Sequence, residues 1–249
     1  MWRICIRGMS SGCWVGADRP DTGGMPPLSG LLLAAGRGER FRAAGGDDKL
    51  TARLPGGSVV VLAALQRLQA ALQRWNGGPV IAVVREDRDD LAALLRSHGA
   101  EVVVSARAAR GMGASLADGV AHCPADHAVL VALGDMPDLA PATLAAVGDA
   151  LRAGASIVRP RHLGQAGHPV GFAARWRARL QALDGDHGAR DLLRQHPDQV
   201  VWLDADGDPG CLRDIDTPAD LGALPDPLSV HHGSARVSDS TSPISSAPS

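Results

Sequence analysis

The chain has 249 residues, of which 45% are hydrophobic and 21% charged, with a formal net charge of −2 at pH 7. That profile describes one sizeable globular domain with tails, and the near-neutral charge argues against a nucleic-acid binder held by a basic surface. With five Trp, two Phe and no Tyr, the core must rest on Leu, Val and Ala, and base-stacking platforms are not expected.

Residues 1–27 carry Gly, Pro, Ser and Asp without periodicity and are expected to be a disordered extension, with MPPLSG from Met25 reading as the more natural start. MWRICIRGMSSGCWVG has a basic start but only a short, interrupted apolar patch, a poor signal peptide. No apolar run approaches the ~18 residues of a membrane span. A cytoplasmic location with no membrane partner follows as the expectation. Cys5, Cys13, Cys123 and Cys211 lie far apart with no C-x-x-C, so neither a zinc knuckle nor a disulfide framework is indicated.

The working domain is expected over 28–225. It opens with the strand GLLLAAG (30–36), which runs into the charged, glycine-rich RGERFRAAGGDDKL (37–50). VVVLAALQRLQAALQRW (59–75) has apolar residues at helical spacing, and PVIAVV (79–84) is a strand. A helix follows over 85–99, with Gly99 as its stop, then the strand AEVVVS (100–105). GASLADGVAH (113–122) is helical, HAVLVALGD (127–135) a strand, and APATLAAVGDALRAG (140–154) a helix with Pro141 in its first turn. ASIVRP, HPVGF, a helix from Arg175, a short helix near Ala189 and the strand QVVWLDAD complete the domain. The Ser/Pro-rich 226–249 is expected to be a disordered tail.

Continuous apolar strands alternating with amphipathic helices predict an α/β domain with a mostly parallel sheet covered on both faces. Ligands in such sheets gather at the carboxyl ends of the strands, so the residues just after strands are the candidates. After the first strand, Gly36 and Gly38 let backbone N–H groups approach an anion, and Arg40 and Lys49 add charge. Phe41 stands where a dinucleotide fingerprint needs its third glycine, and Lys49 lacks the spacing of a P-loop. Residues 111–120, GMGASLADGV, form a glycine turn opening a helix, with Ser115 in its first turns. Asp135 ends a buried strand. Asp214 and Asp216 alternate along an extended stretch, so one of them is expected to face the site.

Together these residues resemble a known family. LAAGRGERF followed by DDKL is similar to the signature loop of the nucleotidyltransferases that include the molybdenum cofactor guanylyl- and cytidylyltransferases, the MobA-like NTP transferases. GMGASLADGV, VALGDMPDL and LRDIDTPADL resemble further family elements, so the likeness covers most of the domain. It implies a Rossmann-like fold of the nucleotide-diphospho-sugar transferase type. It also implies that Leu33, Ala34, Ala35, Gly36, Gly38 and Ser115 meet the nucleotide, that Arg40 and Lys49 hold its phosphates, and that Asp135 binds Mg2+ with Asp214 or Asp216. One departure stands out: the family lysine follows its arginine more closely, whereas Lys49 follows Arg40 by nine positions here. The RAAGGDD stretch must bulge or fold back for Lys49 to reach the same phosphate.

GQAGHPVGF (164–172) and GDHGARDLL (185–193) resemble elements of the cytidylyltransferase branch, which implies that His168, Asp186 and Arg190 contact the acceptor. Leu-Ala-Ala-Gly accompanies cytidine in this group and Leu-Ala-Gly-Gly guanine. The resemblance therefore implies transfer of CMP from CTP to a phosphorylated small-molecule acceptor, molybdopterin carrying molybdenum, for delivery to a recipient molybdoenzyme or its chaperone. The alternatives are a guanylyltransferase using GTP, a sugar-1-phosphate nucleotidyltransferase, and a non-catalytic nucleotide-binding protein that delivers cofactor.

Overall fold

The computed structural model describes residues 4–5, 25–76 and 78–222. In chain order the strands are β1 Ile4–Cys5, β2 Leu28–Leu33, β3 Val80–Arg85, β4 Glu101–Ser105, β5 Ala128–Leu133, β6 Ile157–His162, β7 Gln165–Ala166, β8 Val170–Phe172 and β9 Val200–Asp204. The helices are α1 Glu39–Ala43, α2 Val60–Gln73, α3 Asp89–Ser97, α4 Met112–His122, α5 Pro141–Arg152, α6 Arg177–Gln181, α7 Arg190–Gln195 and α8 Pro218–Gly222.

The strands join in one sheet, in the order β1-β9-β6-β8-β5-β2-β3-β4, with β7 hairpinned onto β6. β2 pairs in parallel with β3 and β5, β3 with β4, and β6 with β9. β8 lies antiparallel between β5 and β6, which therefore run the same way. All the long strands thus bring their carboxyl ends to one edge, and the start of β8 lies there too. The mostly parallel α/β architecture read from the alternation is the one observed. Of the expected N-terminal extension, Ile4–Cys5 pairs antiparallel with β9. The rest of that extension up to residue 24, and the tail beyond residue 222, lie outside the described residues.

The continuous apolar runs are explained by two-sided burial. Leu28, Leu32, Ala82, Val84 and Leu130 pack with Leu65, Leu68, Leu95 and Leu144 of α2, α3 and α5 on one face. Leu31, Ile81, Val83, Val129 and Ile157 meet Leu116, Val120, Leu180 and Leu192 of α4, α6 and α7 on the other. Each fully buried Leu, Ile or Val contributes about 1.5–3 kcal/mol. β4 is the outer strand and alternates, leaving Val104 43% exposed as an edge strand with one covered side would.

Local signals set the helix ends. Gly99 follows α3 at φ +82, the left-handed stop its glycine predicts. α5 begins at Pro141, and the distant Asp208 carboxylate caps it, accepting from the Ala140 N–H (3.1 Å) and the Thr143 hydroxyl (2.6 Å).

Candidate active site

The glycine-rich loop after β2 does not stay open. Gly38 adopts φ +62 and starts the five-residue helix α1, and Phe41 turns inward to pack with Val60 and Ile215. The chain reverses through Gly45 (φ +89). Asp48 then fixes the next turn by accepting from the backbone N–H groups of Leu50 (2.8 Å) and Thr51 (3.1 Å), while Arg88 holds its other oxygen at 2.5 Å. The extra residues between Arg40 and Lys49 are taken up by this helix and turn. Lys49 comes back against Gly38, where an added Cβ would lie 3.4 Å from the lysine Cγ.

Lys49 is only 9% exposed. Its Nζ donates to Asp135 Oδ2 at 2.5 Å and lies 3.4 Å from Asp216 Oδ1. Burial works against its charge, but the Asp135 and Asp216 carboxylates outweigh it and hold the ammonium above its usual value. Arg40 reaches Asp216 Oδ2 at 2.6 Å with its side chain 81% exposed, an ion pair worth little to stability and free to exchange partners. Two cations from the loop after β2 thus meet the carboxylates that follow β5 and precede α8.

The Ile215 N–H donates to the Asp135 carbonyl at 2.9 Å, and Ile215 is fully buried, which fixes the alternation on either side of it. Asp216 is the residue of the pair bonded to Lys49 and Arg40. The more exposed Asp214 makes no bond to either cation, but partial burial, then the nearby Asp216 and Asp135 charges, raise its carboxyl above the ordinary range. Oxygen donors suit Mg2+, which is held by one or two carboxylates with water and phosphate oxygens. Among the described residues no group of three or more His, Cys, Asp or Glu forms a metal cage, so this set fits a cation that the substrate's own phosphates help to bind.

The remaining predicted positions divide. Leu33 is half-buried, Ala34 and Ala35 are buried, and Gly36 and Arg37 open to solvent. Arg85, at the end of β3, spans the loop by donating to the Gly36 carbonyl (3.3 Å) while its Nε pairs with Asp87 (2.8 Å). Beside them opens a cleft of about 400 Å3 whose lining mixes Arg37, Arg42 and Arg85 with Glu39, Glu86 and Asp87. Ser115 is 3% exposed, and its hydroxyl donates to the Gly111 carbonyl four residues back (3.2 Å). The structure thus gives it a helix-internal partner, not an open face.

Gly111 has φ +121 and opens α4. The Gly113 N–H donates to the Gly185 carbonyl at 2.7 Å, which seats the 185–188 loop on this helix end. A Cβ at Gly111 would fall 2.1 Å from Asp186 Oδ1 and 2.6 Å from Gly185 backbone. Gly111→Ala is therefore expected to destabilise the fold by at least about 2 kcal/mol, combining backbone strain with steric overlap; the midpoint of urea unfolding checks this.

His168 precedes Pro169 through a cis peptide bond, and its N–H donates to the Cys211 carbonyl (2.8 Å). The residue is half-buried, yet its Nδ1 is enclosed and has no partner. Burial, then the charge of Arg159, push its imidazole down to about 4. Between that value and the ordinary ~6.5 of an unfolded chain, the unfolded state binds more protons. Stability is therefore expected to fall as pH drops from about 6.5 towards 4, and His168→Gln to flatten that slope in urea unfolding measured across the window. Asp186 and Arg190 are exposed at the same edge. Sequence reasoning passed over Arg159 and Arg85, because an arginine at the end of an apolar run reads as a strand terminus.

Residues 30–200 match the MobA-like NTP transferase domain. The nicotine blue oxidoreductase of Paenarthrobacter nicotinovorans is 31% identical over 201 residues, covering 78% of this chain and 94% of that protein. A Mycobacterium tuberculosis protein of known crystal structure is 28% identical, with a TM-score of 0.64 over 80% of this chain and 97% of its own. Its complex with manganese aligns at 26% identity and a TM-score of 0.63, over 80% and 97% of the two chains. Among the described residues no helix is long and apolar enough to cross a membrane.

Proposed function

Since the chain belongs to the MobA-like NTP transferase family, we propose that it transfers CMP from CTP to the terminal phosphate of molybdenum-bound molybdopterin, releasing pyrophosphate. The observation that carries this reading is the return of Lys49, across its long spacing, to Asp135 and Asp216. A phosphate oxygen of the acceptor attacks the α-phosphorus of CTP, and the bond from that phosphorus to the pyrophosphate oxygen breaks. Such a step needs alignment and charge neutralisation more than covalent help. Lys49, and Arg40 released from Asp216, face the charge that grows on the leaving pyrophosphate. Leu33 to Gly36 border the base and ribose, with Arg85 closing the cleft beside them. His168, Asp186 and Arg190 lie on the acceptor side.

Asp135 and Asp216, with Asp214 beside them, are the residues that would hold Mg2+. Bound there, the ion would neutralise phosphate oxygens. The manganese complex of the Mycobacterium tuberculosis protein supports a divalent cation. CTP over GTP is supported by the Leu-Ala-Ala-Gly form of the loop, which resembles that of the cytidylyltransferase branch; molybdopterin is supported by GHPVGF and GDHGARDLL.

The test is pyrophosphate release from CTP with Mg2+ and molybdenum-loaded molybdopterin. Release that requires the acceptor is expected, and a preference for GTP would move the protein to the guanylyl branch. Silence with every nucleotide would overturn the reading. A second reading, an oxidoreductase, is favoured by the name of the Paenarthrobacter nicotinovorans relative. It predicts redox turnover without any NTP. Against it stands Phe41, 2% exposed and packed where a dinucleotide loop needs glycine.

A further inference from the structure

β4 (Glu101–Ser105) ends the sheet, and among the described residues its outer N–H and C=O groups have no strand partner. Such an edge is commonly blunted by lysine, proline or a bulge. This strand reads Glu-Val-Val-Val-Ser, with neither lysine nor proline, and Val104 is 43% exposed. Val103 is buried on the α4 face, and Val102 is half-buried on the α3 face. By alternation Val104 also stands on the α3 face, where α3 leaves it uncovered.

Helix α3 adds a second, independent feature. Leu91, Ala92 and Leu95 face the sheet, and Leu94 packs on the same core. The free flank carries Asp89, Ala93 and Arg96, exposed residues at i, i+4 and i+7 on one stripe. Right-handed passage from β3 through α3 to β4 sets this stripe on the outer side, above β4. Among the described residues neither Asp89 nor Arg96 has an ion pair, whereas the adjacent Asp90 is held by Arg88. One end of the stripe is thus acidic and the other basic, with the small side chain of Ala93 between. Turned end for end, it complements itself.

We propose that β4 and the Asp89–Arg96 stripe form a two-fold interface with a second copy of this chain. A two-fold axis through Val103, perpendicular to the sheet, pairs the two β4 strands antiparallel and joins the sheets into one. It sets each exposed Val104 opposite the partner's Val102, and each Glu101 opposite the partner's Ser105, so no like charges face each other. Each α3 then runs antiparallel to its copy, with Arg96 towards the partner's Asp89. Ser105 and Ala106 also line the cleft beside the loop after β2, so the partner's Glu101 joins the wall of each cleft. The interface does not depend on which nucleotide or acceptor the protein takes.

The test is sedimentation equilibrium of the full chain across a concentration series, with hydrogen exchange of the 101–105 amides on the same samples. A dimer is expected, with those amides slowed as it forms. Val104→Lys, a change at an exposed position, is expected to leave a folded monomer and to abolish both effects. Asp89→Lys and Arg96→Glu, each reversing two pairs per dimer, should weaken association by about 10-fold. The double variant restores opposite charges and should recover most of that loss; additive weakening instead would overturn the proposal. A monomer at every concentration overturns it too, as does a dimer that survives Val104→Lys and so uses another face. Protection of 101–105 that does not change with concentration would mean that another part of the chain covers the edge, and overturns it equally.

Discussion

Lys49→Met is expected to lower pyrophosphate release by about 10²–10³-fold, the effect of removing one fixed charge from a site where charge develops. The physical ground is the position of the ammonium group. It is almost fully buried and held charged by Asp135 and Asp216, the carboxylates from which a substrate phosphate would have to draw it. The same substitution leaves two neighbouring carboxylates without their cation. With Asp135 and Asp216 side chains 18% and 33% exposed, the stability cost should be about 1–3 kcal/mol, between the limits for exposed and buried pairs. A divalent cation can take the place of the lysine between the carboxylates, so Mg2+ without nucleotide should raise the melting temperature of Lys49→Met more than that of the wild type. Equal responses would argue against a metal at this position.

Asp135→Asn is the second large expected effect. Its contribution to the fold runs through the backbone carbonyl that accepts from Ile215, and the substitution keeps that bond and the side-chain volume. Its contribution to chemistry runs through the carboxylate, which binds Lys49 and is the first candidate for the cation. Turnover should therefore fall by at least about 10²–10³-fold, while the stability lost is limited to the about 1–3 kcal/mol of the broken pair with Lys49 and the protein stays folded. The split matters more than the size of either number. Loss of both together would make Asp135 a structural residue whose removal collapses the loop, and near-normal turnover would remove it from the metal site.

The sheet was legible because its strands are buried on both faces, so their apolar runs are continuous, and because Gly99 and Pro141 stand at helix ends where their backbone preferences require them. The short helix Glu39–Ala43 was not, since five residues inside a charged glycine-rich loop show no periodicity. It is this helix, with the Asp48 turn, that reconciles the long Arg40–Lys49 spacing with a shared site. Motif spacing brought forward Arg40, Lys49, Asp135 and the Asp214–Asp216 pair, but not which aspartate bonds the cations: that depends on Ile215 being the buried residue between them. Ser115 sits in a recognisable motif, yet its burial comes from the packing of α4 on the sheet, which no local pattern encodes.

The central claim, that the loop after the first long strand returns Lys49 to form a metal-dependent CTP cradle, is tested most directly by thermal unfolding with CTP, GTP, ATP and UTP, each with and without Mg2+. A ligand at 100 times its dissociation constant adds ~2.7 kcal/mol, a readily measured shift. The account predicts an upward shift with CTP that requires Mg2+ and is lost in Lys49→Met. No shift with any nucleotide, or an equal shift in Lys49→Met, would contradict it.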